Sequence, residues 1–242
     1  MATRKKTAPK GKKSSKAAPP LKKRAGRWML RAVAFACLFV VLLVLLFRFV
    51  NPPTGLYMLS ESRRLGGVQR DWVPLEQIAP VMARAAVAAE DANFCNHWGF
   101  DMQAIRTAIE NGSARGASTI SQQTVKNVYL WHGRSWLRKA LEAGMTPLVE
   151  TLWPKRRIIE VYLNVAEFDE GVFGVGAAAP HYFGVAAADL SPTQAARLAA
   201  ILPDPKERSA SRPGDFTRKR TAQIMDGAAT IRADGRAACF DS

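Results

Sequence analysis

The chain has 242 residues, room for one domain of ordinary size with an anchor or tail, and a formal net charge of +15 with a pI of about 10.2. Taken without regard to position that charge suggests nucleic acid, but twelve Lys and Arg, with no Asp or Glu, lie in the first 31 residues and leave only +3 downstream. Three cysteines are too few for a disulfide-built domain, and three scattered histidines (His97, His132, His181) without HExxH or CxxC spacing argue against a metal cage.

Residues 1–27, rich in Lys, Ala, Ser and Pro, bury too little apolar surface to offset their ordering entropy and are predicted to form a disordered basic tail. The run 28–50 has no charged side chain between Ala32 and Phe47. As a helix it is long enough to cross a hydrocarbon core of ~30 Å, and Asn51, Pro52 and Pro53 stop it. Positive charge stays on the cytoplasmic side during insertion, so the tail is expected inside and the remainder exported. Arg48, near the outer end, is expected to snorkel to the interface. No small-x-small cleavage site follows the apolar run, which favours an uncleaved anchor over a signal peptide. Cys37 then lies in the span, while Cys95 and Cys239 face an oxidising compartment; sequence alone does not place those two within bridging distance.

Residues 51–72 read as a polar, Gly-containing connector to a mainly α domain at 73–230, with 231–242 as a C-terminal tail. After Pro74, Leu75, Ile78, Val81, Met82, Ala85 and Ala89 recur at helical spacing, which predicts a helix delivering Glu90 and Asp91 at its C-terminal end. Asp101 is placed to cap DMQAIRTAIE, and NGSARG, residues 111–116, reads as a flexible loop. Three further helical patterns cover 119–130, 135–152 and 155–164, the last two split at Pro154. EGVFGVGAAAPHYFG reads as a turn and a small-residue packing surface, and SPTQAARLAAILP as a capped helix ended by Pro203.

Three segments could carry chemistry. In EDANFCNHWGFD, residues 90–101, a carboxylate ending an apolar helix beside Phe94 and Trp98 would be partly desolvated, raising its pKa toward that of a general base. A solvated Glu90 with a structural His97 fits the same pattern. In GASTISQQTVKN, residues 116–127, Ser118, Thr119, Ser121, Gln122 and Gln123 start a helix whose N-terminal N–H groups suit a phosphate or a sugar. A capping sequence with a polar face is the alternative. Lys126, Arg134, Arg138 and Lys139 then fall within fourteen residues, with Glu142 after them. Arg138 and Glu142 at i, i+4 make an ordinary ion pair, or the cations gather for a pyrophosphate leaving group.

These residues also carry a resemblance. E-D-x-x-F-x-x-H-x-G stands as Glu90, Asp91, Phe94, His97 and Gly99, and G-x-S-T-I-S-Q-Q with K-N as Gly116, Ser118 to Gln123, Lys126 and Asn127. R-K-x-x-E is Arg138, Lys139 and Glu142; K-x-x-I-x-x-x-Y-L-N is Lys155, Ile158, Tyr162, Leu163 and Asn164. In this order the motifs resemble those of the peptidoglycan glycosyltransferases, family 51 of the glycosyltransferases, over roughly residues 70–225. The family's late R-R-x-x-V-L motif survives only in part, as Arg220 followed by Thr221.

The resemblance implies a lysozyme-like glycosyltransferase domain of two lobes with a cleft between them, preceded by a single N-terminal transmembrane helix. It implies polymerisation of lipid II into β-1,4 glycan strands, with inversion and release of polyprenyl diphosphate, in cell wall biogenesis. Carried over by position, Glu90 is the base that deprotonates the acceptor hydroxyl, and Lys126 and Arg134 hold the donor pyrophosphate. Ser118, Gln122, Gln123, Arg138 and Lys139 join them in the substrate site. Glu142 is the second carboxylate, serving pyrophosphate or metal positioning or leaving-group assistance. No cofactor is required by the sequence; Mg2+ or Mn2+ near Glu142 is compatible with it. Expected partners are lipid II, the growing glycan and divisome or elongation proteins, with no nucleic acid. The expected location is the bacterial inner membrane, N-terminus cytoplasmic and catalytic domain periplasmic. A glycan-cleaving muramidase or lytic transglycosylase is the enzymatic rival, but such a site has no pyrophosphate to bind. An inactive anchored scaffold is disfavoured by intact Glu90, Lys126, Arg134 and Glu142. No S-x-x-K, S-x-N or K-T-G set follows the module, so glycan without cross-links is expected.

Overall fold

The computed structural model describes residue 3, residues 21–110, residue 112 and residues 118–241. Most of the tail expected to be disordered, and the expected loop at 111–116 apart from Gly112, lie outside the described residues, as does Gly116 of the second motif. Two units are distinguished, Met1–Leu42 and Leu43–Ser242.

The apolar helix α1 (Leu21–Phe49) starts earlier than the expected Trp28. Leu, Lys, Arg and Ala are all good helix formers, so the basic flank after Pro20 extends the helix instead of fraying from it. Within it Gly26–Phe49, 24 residues that include an 18-residue stretch of mean hydropathy 2.9, is long and apolar enough to cross a membrane.

The second unit takes in the last residues of α1 and continues through α2 (Leu56–Leu65), β1 (Gln69–Arg70), α3 (Pro80–Glu90), α4 (Met102–Glu110), α5 (Ile120–Tyr129) and α6 (Trp136–Leu152). It closes with α7 (Lys155–Val165), β2 (Glu167–Asp169), β3 (Val172–Phe173), α8 (Val175–Phe183), α9 (Pro192–Ile201) and α10 (Asp215–Ala233). Helices α3, α9 and α10 pack on one another, and α5 packs against α6 and α7. Alanine makes the first contact close: Ala85 and Ala86 of α3 and Ala195, Ala196 and Ala199 of α9 are buried with Met82, Leu198 and Ile224. In the second layer Ile120, Val125, Ile158, Ile159 and Leu163 are fully buried. A small mixed sheet in the order β1-β3-β2 has β1 parallel and β2 antiparallel to β3. Asn164 ties α7 to the segment after β1, accepting from Val73 N at 2.8 Å and donating to Val73 O at 2.9 Å.

Several expected boundaries change. The connector at 51–72 contains α2 and β1, because Tyr57, Met58 and Glu61 find long-range partners that a local reading of polar residues does not reveal. The helix expected from Leu75 onward is a short 3-10 turn, Leu75–Gln77, followed by a restart at Pro80, whose missing N–H suits a first helical position but not a helix interior. The glycine-rich stretch forms β3 and α8 as well as a turn. The tail at 231–242 is folded into the domain: Cys239 is disulfide-bonded to Cys95, Phe240 is buried and Asp241 pairs with Arg84. Arg48 Nη1 donates to Leu152 O at 2.7 Å, satisfying a carbonyl at the negative end of α6. The C-terminal carbonyls of α1 are covered in turn, Trp153 Nε1 donating to Val44 O at 2.7 Å and Arg157 Nη2 to Phe47 O and Val50 O at 3.1 and 3.0 Å.

Candidate active site

Asp91 assembles the site. It follows the last residue of α3, is buried, and accepts from the Ile120 backbone N–H at 3.0 Å, so it fastens the end of α3 to the start of α5. Its other oxygen lies 2.7 Å from His97 Nε2. Gly99 N donates to His97 Nδ1 at 3.1 Å, so Nε2 carries the proton and donates to Asp91. Gly99 has φ +83° and a Cβ there would meet Thr146 Cγ2 at 2.5 Å; its carbonyl accepts from Thr119 Oγ1 at 2.7 Å. Lys155 reinforces the same corner, with Nζ 2.8 Å from both His97 O and Glu150 Oε1 and 4.4 Å from the centre of the buried Phe94 ring. The supporting residues of the first motif are therefore framework.

What the framework presents is Glu90. Its Oε2 accepts from Gln123 Nε2, one turn into α5, at 2.8 Å. Burial pushes the Glu90 carboxyl above its ordinary value, and the Gln123 hydrogen bond and the charges of Arg220 and Lys126 draw it partly back. Trp98, expected to help desolvate this carboxylate, is 68% exposed instead, and the covering comes from the helices packed around the end of α3. One of them is α10, whose Arg220 donates from Nη2 to Ala89 O at 2.8 Å.

Lys126 lies one turn beyond Gln122 and Gln123 on α5. Burial pushes its ammonium pKa down, while Glu142 and Glu90 favour the charged form. Neither Lys126 nor the exposed Arg134 has a hydrogen-bond partner among the described residues. Arg138 and Lys139 differ: both are held by Glu142, Arg138 Nη1 at 2.6 Å from one oxygen and Lys139 Nζ against the other. Glu142 is 3% exposed, so its pairing with Arg138 and Lys139 is a clamp on a buried carboxylate. Both its oxygens face cations, which does not fit a divalent ion held by Glu142. Among the described residues no group of three or more His, Cys, Asp or Glu could hold a metal.

The helix start that suited a phosphate is also a cap. Thr119 Oγ1 accepts from Gln122 N and Gln122 Oε1 accepts from Thr119 N, a capping box that engages Gln122 and buries it. Gln122 is thus withdrawn from the substrate-facing set, whereas Ser118 is exposed, 3.5 Å from Lys139 Nζ. Asn127 Oδ1 lies 3.1 Å from His132 Nε2. Tyr162 is buried, its hydroxyl without a partner among the described residues.

Two cavities flank the Glu90–Gln123 hydrogen bond. One, of about 260 Å³, is lined by Glu90, Asp91, Asn93, Asp101 and Ser118. The other, of about 390 Å³, is lined by Gln123, Lys126, Tyr162, Tyr57, His132 and Lys206, among others. A carboxylate of raised pKa on one side and an open cation on the other can remove a proton from a ligand in the first cavity and neutralise an anion in the second. Sequence reasoning missed Tyr57, His132, Lys206 and Arg220 as parts of this site. Only Arg220 had left a signal, as the remnant of the late motif.

A family model described as transglycosylase matches residues 59–229, from within α2 to within α10. A biosynthetic peptidoglycan transglycosylase of Jannaschia sp. (strain CCS1) is 58% identical over 235 residues, covering 97% of this chain and 98% of the relative. One of Pseudomonas fluorescens (strain SBW25) is 50% identical over 216 residues, 85% of this chain and 90% of the relative. One of Caulobacter vibrioides is 47% identical over 223 residues, 88% and 97% of the two chains.

Proposed function

The chain belongs to the transglycosylase family and is a peptidoglycan glycosyltransferase of cell wall synthesis, and from that premise we propose how its residues divide the work on lipid II and the growing glycan. Glu90 is the base: it takes the proton of the acceptor's 4-hydroxyl as that oxygen forms its bond to the donor's anomeric carbon. The bond from that carbon to the phosphate oxygen breaks, and its electron pair leaves with the polyprenyl diphosphate. Lys126 and Arg134 meet the growing negative charge, and Arg138 and Lys139, clamped by Glu142, add to the field. Direct displacement inverts the anomeric centre and makes a β-1,4 linkage without a sugar–enzyme adduct. No step is assigned to a divalent ion, since both oxygens of Glu142 are engaged by Arg138 and Lys139.

The observation carrying this reading is the Glu90–Gln123 hydrogen bond, with a cavity beside Glu90 for the acceptor and one beside Lys126 for the donor. The apolar Gly26–Phe49 segment makes the protein membrane-anchored and holds it where a polyprenyl-linked substrate resides. Ten cations ahead of Gly26 support a cytoplasmic N-terminus, and the Cys95–Cys239 disulfide supports an oxidising, periplasmic setting for the domain. Divisome or elongation proteins are the class of partner such a placement serves.

The test is incubation of the purified full-length protein with labelled lipid II in detergent, followed by muramidase digestion. Muramidase-sensitive polymer is expected, and Glu90→Gln should lower its rate by ~10²-fold to 10⁴-fold while sparing affinity for a phosphoglycolipid donor analogue. Lys126→Ala and Arg134→Ala should weaken that affinity by ~1.5 to 3 kcal/mol each. Cleavage of preformed glycan without polymerisation would identify a lytic enzyme instead.

A further inference from the structure

The helix that follows the anchor reaches the proposed donor cavity. Gly55, the N-cap of α2, lies so close to the end of α5 that a Cβ on it would stand 2.3 Å from Asn127 O. Two residues on, the Tyr57 ring stacks on the His132 ring with centroids 3.5 Å apart and planes 5° from parallel. Its hydroxyl donates to Glu167 Oε2 at 2.5 Å, and Lys206 Nζ lies 5.8 Å from the ring centre and 2.8 Å from Glu61 of the same helix. Tyr57, His132, Glu167 and Lys206 all line the cavity that contains Lys126.

His132 links α2 to the short segment between α5 and α6 that carries Arg134. On one side its Nε2 meets Asn127 Oδ1 at 3.1 Å, and Tyr57 covers its face. Gly133, at φ +119°, turns the chain, and its carbonyl accepts from Arg138 Nε at 3.0 Å before Ser135 caps α6. Burial, then the charges of Lys126, Arg138 and Lys206, push the imidazole pKa down, so the ring stays neutral and adds no charge to the cation group. The backbone of Arg134 is thus fixed from behind by the α6 cap and from in front by the Tyr57–His132 stack.

We propose that Tyr57 is a positioning residue for donor binding: α2, through the stack on His132, holds the segment bearing Arg134 beside the Lys126 cavity, which His132 lines. This rests on the reading that Arg134 meets the donor pyrophosphate. A flexible side chain with an exposed guanidinium loses less entropy on binding an anion when its backbone is already placed, so the stack should be felt in affinity more than in the chemical step.

The experiment measures donor-analogue affinity, KM and kcat for lipid II, and the thermal midpoint of full-length wild type, Tyr57→Ala, Tyr57→Phe, Gly55→Ala, Arg134→Ala and the Tyr57→Ala/Arg134→Ala double variant. Tyr57→Ala should weaken analogue binding about 10-fold and raise KM more than it lowers kcat, while Tyr57→Phe, which keeps the ring, stays within about 3-fold of wild type. Gly55→Ala, which must push α2 off Asn127, should behave like Tyr57→Ala. The double variant should bind no more than about 2-fold more weakly than Arg134→Ala alone, because Tyr57 acts through Arg134. Additive losses in the double variant, or unchanged affinity in Tyr57→Ala beside a clear loss in Arg134→Ala, would overturn the inference while leaving the role of Arg134 standing. Unchanged affinity in Arg134→Ala would remove the reading beneath it and the inference together.

Discussion

Adjacent carboxylates, Glu90 and Asp91, meet different surroundings because of the hydrogen bonds each accepts. Asp91 takes a backbone N–H and the His97 N–H and becomes a strut. Glu90 takes one neutral amide and stays under-solvated, so its proton affinity rises. Arg220 works against that rise, and Arg220→Gln should let the Glu90 pKa climb further. Because the base acts when ionised, the acid limb of kcat/KM against pH should then move to higher pH, with the loss of turnover greatest on the acid side. Arg220→Lys should restore part of the shift. An unmoved acid limb in Arg220→Gln would remove Arg220 from the electrostatics of the base. Glu142 is tested differently: Glu142→Gln frees Arg138 and Lys139 from their clamp, and donor-analogue affinity measured by titration should fall about 10-fold together with turnover. A loss of turnover alone would point to a direct chemical role.

At the scale of elements, local signals and long-range ones separate cleanly. The capping boxes Thr119–Gln122 and Ser191–Gln194 start α5 and α9 where the sequence put them, since a cap involves residues three apart. Helix α2 carries no such signal: its N-cap is Gly55 without a side-chain cap, and it is held by Glu61, Tyr57 and Lys206. Arg64, then Lys206, holds the Glu61 carboxyl down from 4.5 to about 2. A carboxylate depressed on folding contributes stability that is complete above its unfolded pKa and is lost as pH falls through the folded one. Docking of α2 should therefore weaken between pH 4.5 and about 2, read as faster amide hydrogen exchange in Leu56–Leu65. Glu61→Gln should abolish that acid-dependent component. Exchange in α2 that accelerates equally in wild type and variant over this range would show that other carboxylates control it.

For the molecule as a whole, the Cys95–Cys239 disulfide joins the turn after Glu90 to the segment after α10 across 144 residues of chain. Closing so long a loop in the unfolded chain is worth about 3 to 5 kcal/mol in the chain-entropy account. Cys239→Ser should accordingly lower the thermal midpoint by about 10 °C under oxidising conditions, and a reductant should lower that of wild type but not of the variant. A midpoint indifferent to both changes would mean that Phe240 against Phe94 and the Arg84–Asp241 pair hold this corner without the bridge.

Composition and spacing determined a good deal by themselves. The apolar run set the membrane-spanning helix, since hydropathy over some twenty residues is a local sum. The resemblance carried by the ordered motifs picked out Glu90, Lys126, Arg134 and Glu142, while spacing alone offered the Arg138–Glu142 pair, since residues four apart on a helix share a face whatever the rest of the chain does. The partners of those residues were another matter. Arg220 reaches Ala89 across 131 positions, Tyr57 reaches Glu167 across 110, and Arg48 reaches Leu152 across 104. Nothing local in Arg48 or Tyr57 announces those partners, and the motif remnant at Arg220 does not name Ala89. Only when helices pack, and each buried polar group must find a partner or pay its desolvation, are the strut, the clamp and the rim of the cavity selected.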